Sequence, residues 1–121
     1  MSLTIAGRLF TGPFDLDNTV MRPNHQPAVF AIVAKQGEAW DPQFVLIDVG
    51  ETGECGVAFS SHPSRGAWER AGAGHRPTVY LHSMPKASGA SEREALVAEL
   101  RKAYPKPNTP IREQGHARRG A

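Results

Sequence analysis

The chain has 121 residues, 40% of them apolar, and a formal net charge of +2. That length supports one core and excludes two domains of ordinary size, while charged residues near the usual share exclude global disorder. No apolar run reaches the roughly 18 to 20 residues of a membrane helix, residues 1–4 lack a signal-peptide pattern, and the single cysteine, Cys55, excludes an internal disulfide or a cysteine-based zinc cluster. These features point to a cytosolic protein with no membrane partner.

Leu3 to Phe10 alternates loosely and reads as a short edge strand, broken by Thr11-Gly12-Pro13. Asp15 to Pro27 is a polar loop. Ala28-Val29-Phe30-Ala31-Ile32-Val33 is a continuous apolar run rich in β-formers and predicts a buried central strand. Lys35 to Gln43 reads as a hairpin connection, and Phe44 to Val49 as a second buried strand ended by Gly50, antiparallel to the first. Short helical stretches are expected from Val57 to about Ser61 and from Arg65 to Ala71, with Pro63 as a start signal. Thr78 to His82 is a third core strand. Ser91, with Glu94 three positions on, has the pattern of a capping box opening a helix to Tyr104 before Pro105. At 100° steps Leu96, Val97, Leu100, Ala103 and Tyr104 share one face of that helix.

The expected architecture is therefore α+β, a small, mainly antiparallel sheet packed against helices. A single domain spans residues 1–108, and the aperiodic residues 109–121 read as a disordered basic tail. Charge is uneven along the chain. Residues 1–60 set Arg8, Arg22 and Lys35 against seven acids, whereas residues 61–121 carry eleven Lys and Arg against five Glu. A basic half steers polyanions toward a protein, and it is also what the wet faces of helices look like.

This order of elements resembles the GIY-YIG nuclease superfamily, named for two tripeptides on adjacent strands of a three-stranded sheet. Ala28-Val29-Phe30 is similar to the first tripeptide and Asp48-Val49-Gly50 to the second, and Pro105-Lys106-Pro107-Asn108 resembles the proline and asparagine that follow the family's last helix. The resemblance covers residues 27 to 108 and implies a three-stranded core, here with an N-terminal edge strand added. It further implies action on, or binding to, DNA or RNA, with Mg²⁺ or Mn²⁺ as cofactor. The chain departs from the pattern at the catalytic positions. Phe30 and Asp48 stand where the family has tyrosines, Ala58 where it has arginine, and Leu96 where it has the metal-binding glutamate. Phe30 has no hydroxyl with which to move a proton. The resemblance thus implies impaired or altered metal-dependent phosphodiester cleavage, with an inactive protein- or small-ligand-binding domain as the alternative.

Phosphodiester hydrolysis needs an activated nucleophile, a cation and a proton for the leaving oxygen. Asp48, His62 and Arg65 are the catalytic candidates. Asp48 interrupts an apolar strand beside Gly50, where it either caps the turn or belongs to a site. His62 could exchange protons near neutral pH, or cap a helix end. Glu99 and Glu51 are the candidate metal ligands, with Glu92 second to Glu99 on the same helix; the bland alternative is an exposed Glu99 paired to Lys102. Arg65, Trp68, Arg70, Arg101 and Lys102 are the candidate nucleic-acid contacts, Trp68 by stacking on a base, although an aromatic at helical spacing more often packs in a core. His25, His75, His82 and His116 are too scattered for a zinc site.

Overall fold

In a computed structural model, the apolar run at Ala28 forms the middle of β4 (Ala28–Glu38), which pairs on one side with β5 (Asp41–Thr52) and on the other with β7 (Pro77–Ser83). The structure describes residues 2–23, 27–53, 55–85 and 89–111. Ala28 through Ala34 are all buried because β4 is covered on both faces, which is why its sequence is apolar without alternation. β1 (Ser2–Ile5), β2 (Arg8–Phe14) and the short β8 (Thr109–Pro110) complete a six-stranded sheet in the order β1-β2-β7-β4-β5-β8. Every neighbouring pair in it is antiparallel. β3 (Val20–Met21) and β6 (Val57–Ala58) form a separate two-stranded ladder.

The two faces of β4 feed two cores, as the period of two along a strand requires. Val29, Ala31 and Val33 pack with Leu96, Val97 and Leu100 of α2 (Ala90–Ala103). Phe30, Ile32 and Ala34 pack with Phe59, in a 3-10 turn (Phe59–Ser61), and with Trp68 of α1 (Arg65–Gly72). The α+β class and the antiparallel sheet are as expected, although the sheet is wider than a three-stranded core with one edge strand.

Several local expectations are corrected. The N-terminal segment is two strands folded back at Ala6-Gly7, both at positive φ; such a turn matches strand twist. The polar loop from Asp15 includes β3, and the stretch at Val57 begins as a strand before its helical turn. The hairpin expected from Lys35 to Gln43 is almost all ladder, with only Ala39 and Trp40 between paired Glu38 and Asp41. Helix α2 starts at Ala90, and the N-terminal bond runs from the Gly89 N–H to the Glu92 carboxylate at 2.9 Å, so Ser91 and Glu94 form no capping box. Ala103 is exposed, and Arg93 occupies the buried face in its stead. Finally, Thr109 and Pro110 pair with β5, Ile111 donates its N–H to the Phe44 carbonyl at 2.7 Å, and its side chain is buried, so the fold extends three residues past the expected boundary at 108. The rest of the expected tail, from residue 112, lies outside the described residues, as do His25 and His116.

Among the described residues no helix is long and apolar enough to cross a membrane.

Candidate functional site

A β-bulge decides where Asp48 points. Ile32 pairs with Asp48 and Val33 with Leu46, so Ile47 has no partner of its own on β4. Regular alternation would place Asp48 on the face of Leu46, under α2. The extra residue carries it to the α1 face instead, where one carboxylate oxygen accepts the Trp68 indole N–H at 2.8 Å and the other accepts the Val49 N–H at 2.8 Å. Trp68, only 1% exposed, stacks on His62 with ring centroids 4.5 Å apart and meets Phe30 edge-on at 6.3 Å. His62 Nδ1 in turn accepts the Ser64 N–H at 3.0 Å, which places the proton of the neutral ring on Nε2. Phe30 lies opposite Gly50, and a Cβ at position 50 would run into its ring. Asp48, His62 and Trp68 are thus brought together, but Trp68 is a core residue and presents no face for a base. Both oxygens of Asp48 are committed to structural donors.

The candidate metal ligands are not brought together. Glu51 lies on the α2 face and accepts the Arg93 Nε–H at 2.7 Å. Arg93 is 2% exposed, and its guanidinium fills the space where a side chain at Gly53 would sit. Glu99, exposed on α2, approaches Arg8 of β2 at 3.6 Å and does not pair with Lys102. Arg8, the partner of Glu99, is on β2 and Glu51 is on β5, with β7 and β4 between those strands. Asp48 is on the opposite side of the sheet, and Glu92 is spent at the start of α2. Among the described residues no three His, Cys, Asp or Glu side chains gather as a metal site. A hard cation needs several oxygens converging on one point, and this donor set does not fit Mg²⁺ or Mn²⁺.

Arg65 does not reach the Asp48 cluster's carboxylate. It pairs with Asp17 at 2.8 Å and with Glu69, one helical turn on, at 3.1 Å. Arg76 closes the network by bonding Asp15 at 2.8 Å and Asp17 at 3.4 Å. The Asp17 backbone N–H, followed by the Arg76 guanidinium, holds the Asp15 carboxyl below its ordinary value of 3.8, and Asp17 raises the already high pKa of Arg65. This is a satisfied surface network with no spare cation for a phosphate. Arg70 is exposed on the same helix.

Cations without a carboxylate partner among the described residues gather elsewhere. β8 pairs only with Val45 and Leu46, and beyond them β5 has no strand on its outer side among the described residues. Two clefts flank α2 there and share Arg101. One, of about 640 Å³, runs between Gly50 and Glu51 of β5 and Arg101 and Lys102 of α2. The other, of about 300 Å³, lies between Asp48 and Val49 and the chain leaving α2, with Tyr104 and Lys106 on its rim. Arg101 bonds the Val49 carbonyl at 3.1 Å, which fixes its guanidinium at the junction of the two. Glu51 is paired with Arg93, so the three cations Arg101, Lys102 and Lys106 face two carboxylates without an ion-pair partner, Glu94 and Asp48, the latter hydrogen-bonded only by neutral donors. Sequence reading names Arg101 and Lys102 but not Lys106; its position between two prolines just after the helix was the available signal.

Compared with known proteins, the chain matches no family model, no curated protein and no solved structure.

Proposed function

We propose that this chain is a GIY-YIG-like domain that binds the phosphates of DNA or RNA along the open edge of β5 and does not cut them through a bound metal. The observation that carries the reading is the set of three cations, Arg101, Lys102 and Lys106, lining two joined clefts and ion-paired to no carboxylate among the described residues. The GIY-YIG likeness is supported by the placement of the two tripeptides on paired strands, Phe30 opposite Gly50, with α1, β7 and α2 following in that order. The loss of cutting is supported by the dispersal of Asp48, Glu51 and Glu99 and by the phenylalanine at position 30. A second reading, a domain that binds an apolar ligand or protein, is favoured by a groove of about 540 Å³ bordered by the exposed Phe14 and Val20 with Met21, Leu81 and Met84.

Fluorescence anisotropy with labelled single- and double-stranded oligonucleotides, titrated in salt, tests the proposal. Binding should weaken steeply as salt rises. The R101A/K102A/K106A variant should lower the slope of log K against log salt by about 2 to 3, three phosphate contacts' worth. EDTA should leave the affinity unchanged. Cleavage that requires Mg²⁺ would overturn the non-cutting half of the proposal, and absence of salt-dependent binding would leave the apolar groove as the site to pursue.

A further inference from the structure

Beyond Lys35, the β4–β5 hairpin leaves the body of the protein. β7 stops pairing with β4 at Ala34, and β8 stops pairing with β5 at Val45. Ile111 still bonds the buried Phe44, and the three pairs beyond it, from Gln36–Gln43 to Glu38–Asp41, form a two-stranded ribbon that ends in Ala39-Trp40. Two-residue turns favour Asn, Asp and Gly because their backbone demands it. Neither Ala39 nor Trp40 has a positive φ, so this turn makes no such demand and admits a tryptophan without strain. At 82% exposure Trp40 has no packing role, and it is the most exposed large apolar side chain among the described residues. A large amphipathic ring held in solvent with no contact in the fold has its whole face available to a partner.

The chemistry of that contact follows from what surrounds the indole. Glu38 and Asp41 flank the turn, so the tip repels phosphate and offers an apolar ring instead. The cations of the clefts stand at the other end of β5, near Val49 and Gly50. Eight residue steps from Asp41 to Val49 span about 26 Å at a strand's rise. At the 3.4 Å rise of a stacked duplex strand that distance takes about eight nucleotides, and an unstacked, extended strand covers it with fewer. In a duplex the base faces are already stacked on one another, whereas an unpaired strand presents them.

We infer that Trp40 is a base-stacking contact and that the ligand is a single strand of DNA or RNA running from the Arg101–Lys102–Lys106 clefts to the hairpin tip. The inference rests on the phosphate-binding reading of those clefts and adds to it the class of nucleic acid and the residue that selects it. Stacking of one base on an aromatic side chain contributes about 1–3 kcal/mol and tolerates any base, so the selectivity is for strandedness and not for sequence.

The test uses the full chain with fluorescein-labelled dT12, U12 and a 12-base-pair duplex. Wild-type protein should bind both single strands more tightly than the duplex, with quenching of tryptophan emission. Trp40→Ala should weaken single-strand binding about ten-fold, abolish the quenching, and leave both the duplex affinity and the salt slope unchanged. Trp40→Phe should restore most of the loss. Because the side chain stands almost wholly in solvent, far-UV circular dichroism and Tm should match the wild type for both variants. Trp40→Ala binding dT12 and U12 as tightly as wild type, while R101A/K102A/K106A binds them weakly, would overturn the stacking role and leave the cleft reading standing. Loss of the cleft cations without effect on binding would overturn the cleft reading and this inference with it. A change in sedimentation on Trp40→Ala, with oligonucleotide binding unaltered, would make the tip a contact between copies of the chain and overturn the inference.

Discussion

Asp48→Ala removes one carboxylate from two donors at once, and the cost follows from where those donors lie. The Trp68 indole N–H sits in a side chain only 1% exposed, and the Val49 N–H lies on a buried residue. A buried donor left unsatisfied costs about 1–3 kcal/mol. Asp48 itself is half-buried, so water reaches part of the space that its removal opens, and the two losses together come to about 3 kcal/mol. For a chain of this size that lowers Tm by about 12 °C. Asp48→Asn keeps one acceptor oxygen but turns an N–H toward the other donor, and should lose about half as much. Trp68→Phe removes the indole donor, so Asp48→Ala in that background should cost about 1–2 kcal/mol less than in the wild type. Urea unfolding followed by far-UV circular dichroism measures the wild type and all four variants without depending on tryptophan emission. If Asp48→Ala lies within about 0.5 kcal/mol of wild type, or the two single effects simply add, the carboxylate is not the acceptor described here and is free for other chemistry.

Three further outcomes follow from the same structure. Glu51→Ala removes the acceptor of the buried Arg93 Nε–H and should cost about 2 kcal/mol in urea unfolding, whereas Glu51→Leu combined with Arg93→Met, which replaces the ion pair by apolar side chains, should recover most of it. Asp15 titrates below 3.8 when folded, so its contribution to stability is fully present above that value and is lost as pH falls through the lower folded value. Carbon-detected NMR should follow that titration, and Arg76→Ala should move its midpoint partway back toward 3.8. Burial raises the Tyr80 hydroxyl above 10.0. The stability this represents is complete below pH 10.0 and falls as pH rises through the folded value, a loss that Tyr80→Phe should lessen in unfolding curves recorded above pH 10.

How much of this was legible in the sequence differs from element to element. The buried central strand could be read from Ala28 to Val33 because a strand covered on both faces carries only apolar residues. The last helix could be read from Leu96, Val97 and Leu100, which recur at the helical period and do face the core. Its start was misplaced because Ser91 and Glu94 satisfy the capping pattern as well as Gly89 and Glu92 do, and which pair is used depends on where β7 delivers the chain. The candidate site was legible as residue types only. Asp48 and Trp68 were both singled out, yet nothing local to either says that they meet across 20 positions.

The sequence by itself determined the α+β class, its antiparallel strands and its basic second half, since burial period and charge are written residue by residue. Tertiary structure alone decided which charges remain available. The bulge at Ile47 turned Asp48 onto the α1 face and into hydrogen bonds with Trp68 and Val49. Burial of Arg93 claimed Glu51, and packing of the N-terminal hairpin brought Arg8 to Glu99. The physical reason is common to all three. A side chain's charge is available only if folding has not already brought a partner to it, and those partners come from distant parts of the chain, whose register no local pattern encodes.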